Sequence, residues 1–140
     1  MSRILCIDYG KKRTGVAVTD PLKIIASALT TVNTKDLFSF LKKYFNEEAV
    51  ELVLIGEPKN WDETETHATP LVHQFIQKFK KDFPLIKIEP VDERYTSKLA
   101  VQAMVQMGMK KKDRQRKENV DQIAATIMLQ EYLKTFTLNP

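Results

Sequence analysis

Hydrophobic and polar positions along the chain fall into blocks whose spacing changes, and each change marks a new element. Residues 3 to 8 and 14 to 19 are apolar runs of strand length, too short for a helix that buries one face. The intervening Tyr9-Gly10-Lys11-Lys12-Arg13 predicts a hairpin turn, with Gly10 able to take a positive φ. Residues 24 to 32, rich in Ile, Leu, Thr and Val, predict a third strand. Asn33 or Thr34 then caps a helix to about Phe45, because Leu37, Phe38, Leu41 and Phe45 recur at helical spacing. The apolar run at 51 to 55 is a fourth strand. Leu71, Val72, Phe75, Ile76 and Phe79 mark a second helix ending before Pro84, and residues 86 to 91 a fifth strand. Residues 96 to 107 and 118 to 134 read as helices separated by Gly108 and a basic run.

Strands alternating with helices call for parallel pairing, whereas the three opening strands call for a meander. The expectation is therefore an α/β protein with a five-stranded mixed sheet and helices on both faces. No repeat or Pro/Gly/Ser linker divides residues 1–140, which read as one domain of ordinary globular composition, 43% hydrophobic and 29% charged. The apolar start is broken at Asp8, so it is neither a signal peptide nor a membrane span, and a cytoplasmic location with no membrane partner is expected. Cys6 is the only cysteine; it excludes an intramolecular disulfide and a cysteine zinc site, and its apolar neighbours predict burial.

Charge changes this picture because it is localised. The net charge is +4, yet Lys110, Lys111, Lys112, Arg114, Arg116 and Lys117 oppose only Asp113 within eight residues, with Lys11, Lys12 and Arg13 as a second cluster. Such concentration suits a polyphosphate partner, since each neutralised phosphate releases counterions. By itself a charge run is as easily a solvated loop.

Three sets of acids stand where elements begin or end. Asp8 closes the first strand and opens Asp-x-Gly-x-x-Arg-x-Gly (Asp8, Gly10, Arg13, Gly15), with Asp20 after the second strand. Asp92-Glu93-Arg94 follows the fifth strand, where Thr96 or Ser97 can cap the next helix. Two acids crowded at a strand end are relieved by a cation, although a surface Glu-Arg pair is the plainer alternative. Asp121 falls inside the apolar arc of Val120, Ile123, Ala124, Ile127 and Met128, where an acid needs a partner; as a first-turn acid it also suits the helix dipole. Ala124 and Ala125 would let this helix approach a sheet closely. Carboxylates without a companion His or Cys set suit Mg²⁺ or Mn²⁺, whereas His67 and His73 lack zinc-site spacing and read as surface residues.

These motifs resemble the YqgF/RuvX family of pre-16S ribosomal RNA nucleases and Holliday junction resolvases with an RNase H-like fold. The resemblance covers nearly the whole chain through Ile7 to Ala17, Ile55-Gly56-x-Pro58-x-Asn60-x-Asp62, Asp92 to Ser97 and Asp121 to Ala125. It implies that Asp8, Glu93 and Asp121 bind metal as the catalytic set. It further implies that Arg13, Arg94 and the basic loop hold phosphate, with Lys11, Lys12 and Asn60 completing the nucleic-acid contacts. The chain departs from the family pattern at Glu57, Lys59 and Glu63, and Glu57 is either a fourth acid of the site or an exposed charge. The expected function is metal-dependent hydrolysis of a structured nucleic acid, pre-rRNA or branched DNA, by a monomer or homodimer. A binding module without turnover is one alternative. An ATP-handling protein of actin-like or sugar-kinase type is another, but it would need two such domains.

Overall fold

The computed structural model describes residues 2–57, 69–92 and 117–138, apart from the side chains of 57, 69, 92, 117–121 and 135–138. Five strands, β1 (Arg3–Asp8), β2 (Arg13–Thr19), β3 (Ala26–Asn33), β4 (Val50–Glu57) and β5 (Lys87–Asp92), make one sheet in the order β3-β2-β1-β4-β5. β2 runs antiparallel to β1 and β3, whereas β4 is parallel to β1 and β5 to β4. This is the mixed sheet the strand spacing predicts. The predicted helix at 96–107, Gly108 and most of the basic run lie outside the described residues.

Alternation along β1 divides the core in two. Leu5 and Ile7, with Val16, Val53, Ile55 and Ile88, face α1 (Leu37–Glu47) and α2 (Thr69–Asp82). Ile4 and Cys6, with Ala17, Leu52 and Leu54, face the long helix α3 (Lys117–Leu138). Every residue from Ile4 to Ile7 is within 1% of full burial, as a strand covered on both faces requires. Cys6 is buried as its neighbours predict.

The α1/α2 layer is aromatic. Phe79 is fully buried, with ring centroids 6.1 Å from Phe45, 6.1 Å from Phe75 and 5.0 Å from Phe83. The α3 layer uses small and flexible residues instead. Ala124, Ala125, Met128, Leu129 and Leu133 are buried, while Ile123 and Ile127, expected on the packing face, are only half-buried. The buried stripe is thus turned toward Ala125 and Leu129, and alanine there lets the helix lie close to the sheet. No helix among the described residues is long and apolar enough to cross a membrane.

Two local readings are corrected. Ile24 and Ile25, expected at the start of the third strand, are 66% and 63% exposed and precede it. They belong to a loop folded around Asp20, whose carboxylate accepts from the backbone N–H groups of Leu22, Ile24 and Ile25 at 3.2, 2.8 and 2.8 Å. Lys23 at φ 60° supplies the left-handed turn. Neither Asn33 nor Thr34 caps α1, which Asp36 precedes after a 3₁₀ turn over Thr34–Asp36, without a side-chain cap bond.

Two predictions follow from this packing. Phe79→Ala should destabilise the protein by about 3–5 kcal/mol, measured by denaturant unfolding; a loss below about 1 kcal/mol would mean the aromatic layer is not a close-packed core. The N–H bonds, that from Ile25 first, hold the Asp20 carboxyl below the ordinary aspartate range. A depressed carboxyl contributes stability above its unfolded pKa of about 4 and loses it as pH falls through the folded value. Thermal melts should therefore show Asp20→Ala below wild type at pH 7, with the gap narrowing toward pH 3, and a pH-independent gap would contradict the assignment.

Candidate active site

Strand direction decides which end of the sheet collects the chemistry. β1, β4 and β5 run together, so Asp8, Glu57 and Asp92 end at one edge, and the antiparallel β2 brings its first residue, Arg13, to the same edge. In open α/β sheets the carboxyl ends of parallel strands are where a cleft can form. Glu57 stands directly opposite Asp92 in the β4–β5 register. Neighbouring strands lie about 4.8 Å apart, so the backbone carries two acids side by side, one strand from the end of β1.

Asp8 is half-buried. By the alternation that sends Ile4 and Cys6 toward α3, it belongs to the α3 face. Arg13, also half-buried, shares that face through Gly15, which pairs with Asp8, and Ala17, which pairs with Cys6. Tyr9 turns the other way, its ring 5.2 Å from Phe75, and burial raises its phenol pKa.

The orientation of α3 brings its beginning to this edge. Its C-terminal half lies at the opposite end, where Gln130, Leu133 and Lys134 line a groove with Lys23 to Ala26. Asp121 lies one turn before Ala125 along α3, so its backbone lies toward the Asp8 end. The arrangement brings Asp8, Arg13, Glu57, Asp92 and Asp121 to one end of the molecule. It does not include Asp20, which lies beyond the far end of β2 and holds its own loop.

The turn joining Asp8 to Arg13 is built differently from its prediction. Gly10 does not adopt a positive φ; a Cβ there would run into the Arg13 carbonyl oxygen, so glycine is required by close approach. Lys11 and Lys12 are exposed at the tip. Thr34 closes the turn from outside: its N–H donates to the Lys12 carbonyl at 2.9 Å and its hydroxyl to the Gly10 carbonyl at 2.6 Å. From the sequence, Thr34 is only a candidate helix cap. Its partner is 24 residues away, and only the antiparallel pairing of Arg13 with Asn33 reveals the contact.

Of the other residues singled out, Asn60, Glu93, Arg94 and Lys110 to Arg116 lie outside the described residues, and Lys117 is described only as the first residue of α3. Among the described residues, no three His, Cys, Asp or Glu side chains form a metal-holding group. Among the described residues the acids that end at this edge offer oxygen donors only: Cys6 is sealed in the core and His73 is exposed on α2. That set fits a hard, oxygen-liganded cation and does not fit zinc.

Comparison with known proteins places the chain in a family. A model of the RuvX family, described as Holliday junction resolvase, matches residues 2–135. The chain is 55% identical over 133 residues to a Flavobacterium psychrophilum protein, covering 95% of this chain and 97% of that one. It is 56% identical over 133 residues to one from Christiangramia forsetii, covering 95% and 98%. Both relatives bear the name "Putative pre-16S rRNA nuclease". RuvC of T. thermophilus, solved with a Holliday junction substrate, has the same fold, with TM-score 0.59 over 99% of this chain and 98% of that one at 12% identity. With the family model matched over residues 2–135, and relatives identical at more than half of the aligned positions, the chain belongs to the RuvX family of nucleases and has the RNase H-like fold.

Proposed function

We propose that the chain is a divalent-metal-dependent endonuclease that cuts phosphodiester bonds of structured RNA, processing the 5′ end of the 16S ribosomal RNA precursor. The observation that carries this reading is the placement of Asp8 and Arg13 on one face of the sheet edge to which the start of α3 also comes. The choice of RNA is supported by the name shared by the relatives that are 55% and 56% identical.

Asp8, Glu93 and Asp121 would hold the cation, Mg²⁺ or Mn²⁺, with Glu57 and Asp92 at the ends of the neighbouring strands. When bound, such ions activate water for attack on phosphorus and neutralise charge on the leaving oxygen, giving a 5′-phosphate and a 3′-hydroxyl. Asp8 ends a strand that is buried on both faces, which fixes its backbone before substrate arrives. Arg13 and Arg94 orient the phosphates beside the scissile bond. Lys11 and Lys12, with Asn60 and the run Lys110, Lys111, Lys112, Arg114, Arg116 and Lys117, grip the flanking backbone without reading sequence. A second reading, cleavage of a four-way DNA junction, is favoured by the description of the family model; it would require two sites and hence a homodimer.

The deciding assay offers precursor rRNA and four-way DNA junctions side by side, with Mg²⁺ and with Mn²⁺. Asp8→Asn should lower cleavage by about a hundredfold or more, since even partners behind a metal ligand are worth 10–100-fold, while folding and substrate binding persist. Cleavage by that variant at the wild-type rate would refute the site. Replacing Lys110, Lys111 and Lys112 by Ala should weaken binding and reduce the slope of log K against log salt by roughly 0.7–0.9 per lost phosphate contact; an unchanged slope would remove the basic run from the interface.

A further inference from the structure

The turn that carries the first acid to the first arginine is held by a residue outside it. Thr14 on β2 is fully buried, its hydroxyl 2.9 Å from that of Thr34. Thr34 has a single hydroxyl proton, and the 2.6 Å contact to the Gly10 carbonyl uses it. The shared bond therefore runs from Thr14 to Thr34. The result is a directed chain, Thr14 O–H to Thr34 O–H to Gly10 C=O, in which each bond polarises the next. The Thr34 N–H adds a second tie at the Lys12 carbonyl, 2.9 Å away. Two carbonyls of a four-residue turn are thus fixed from one residue, while the Arg13 carbonyl packs where a Gly10 side chain would stand.

By the alternation of β2, Thr14 belongs to the α1/α2 face, beside Val16, whereas Asp8 and Arg13 belong to the α3 face. The hydroxyl chain therefore acts from behind the sheet edge and leaves the front to Asp8 and Arg13. We infer that Thr34 is a positioning residue: its hydroxyl sets the Tyr9–Lys12 turn and so the separation and aim of the Asp8 carboxylate and the Arg13 guanidinium. This inference rests on the nuclease reading for its catalytic consequence and on the hydrogen-bond chain alone for its structural one.

Thr34→Val removes the hydroxyl at nearly constant volume, and Thr34→Ser keeps it. With precursor rRNA and Mn²⁺, Thr34→Val should lower kcat by about 10–100-fold, since an ångström of misplacement costs about a hundredfold, with KM changed less than about threefold. Thr34→Ser should restore kcat to within about threefold of wild type. Independently of activity, amide hydrogen exchange at Lys11, Lys12 and Arg13 should accelerate in Thr34→Val and stay near wild type in Thr34→Ser. A Thr34→Val protein with wild-type kcat, or with unaltered exchange in the turn, would overturn the proposal, as would a serine variant no better than valine. If wild-type protein cleaves neither RNA nor junction while the exchange difference holds, the nuclease reading fails and the hydroxyl chain stands.

Discussion

The alternation of β1 between two helical layers is the constraint on which the rest of the molecule depends. Leu5 and Ile7 are taken by the aromatic layer of α1 and α2, and Ile4 and Cys6 by α3. A slip of one residue would exchange the two sets and drive Asp8 into the layer of Phe75 and Phe79, where an unpaired carboxylate is prohibitively costly. Because β1 also bonds β2 on one side and β4 on the other, its register fixes theirs. The positions of Gly15, Ile55 and, through β4, Asp92 follow from it. Asp8 is thus placed by the hydrophobic core rather than by local turn preference.

The two ends of the sheet use charge in opposite ways. At the end where β1 begins, charged groups are spent on holding the chain. Arg3 bonds Glu48 at 3.2 Å and the Thr19 carbonyl at 2.9 Å, Lys23 pairs with Glu51, and Asp20 gathers three backbone N–H groups. At the end where β1 finishes, strand direction sets acids on adjacent strands beside one another, Glu57 facing Asp92 in register.

The two helical layers also differ in a way that suits their places. Phe45, Phe75, Phe79 and Phe83 form a thick, interlocked layer behind the sheet, where bulk gives stability. Alanines at 124 and 125 thin the α3 layer, which lets the helix backbone come near the sheet. A bulky pair there would lift the start of α3 away from the edge.

The period-two and helical spacings, read from the chain alone, determined the strands near 3–8, 14–19, 51–55 and 86–91 and the faces of α1 and α2, because those patterns depend on neighbours within a few residues. The same local logic singled out Asp8, Arg13 and Asp121 as acids and a base at element ends. Tertiary structure alone decided the rest. α3 is apolar on several sides, so periodicity favoured Ile123 and Ile127, whereas the sheet accepted the smaller Ala124 and Ala125. Asp20 resembled a further site acid until its N–H partners and its place at the far end of β2 assigned it to a loop. Thr34 resembled a cap until the pairing of β2 with β3 delivered it to Gly10. In each case the deciding partner lies across a strand pair, a sheet face or a captured loop. Local pattern records what a residue prefers, and packing selects which of those preferences the whole chain can satisfy at once.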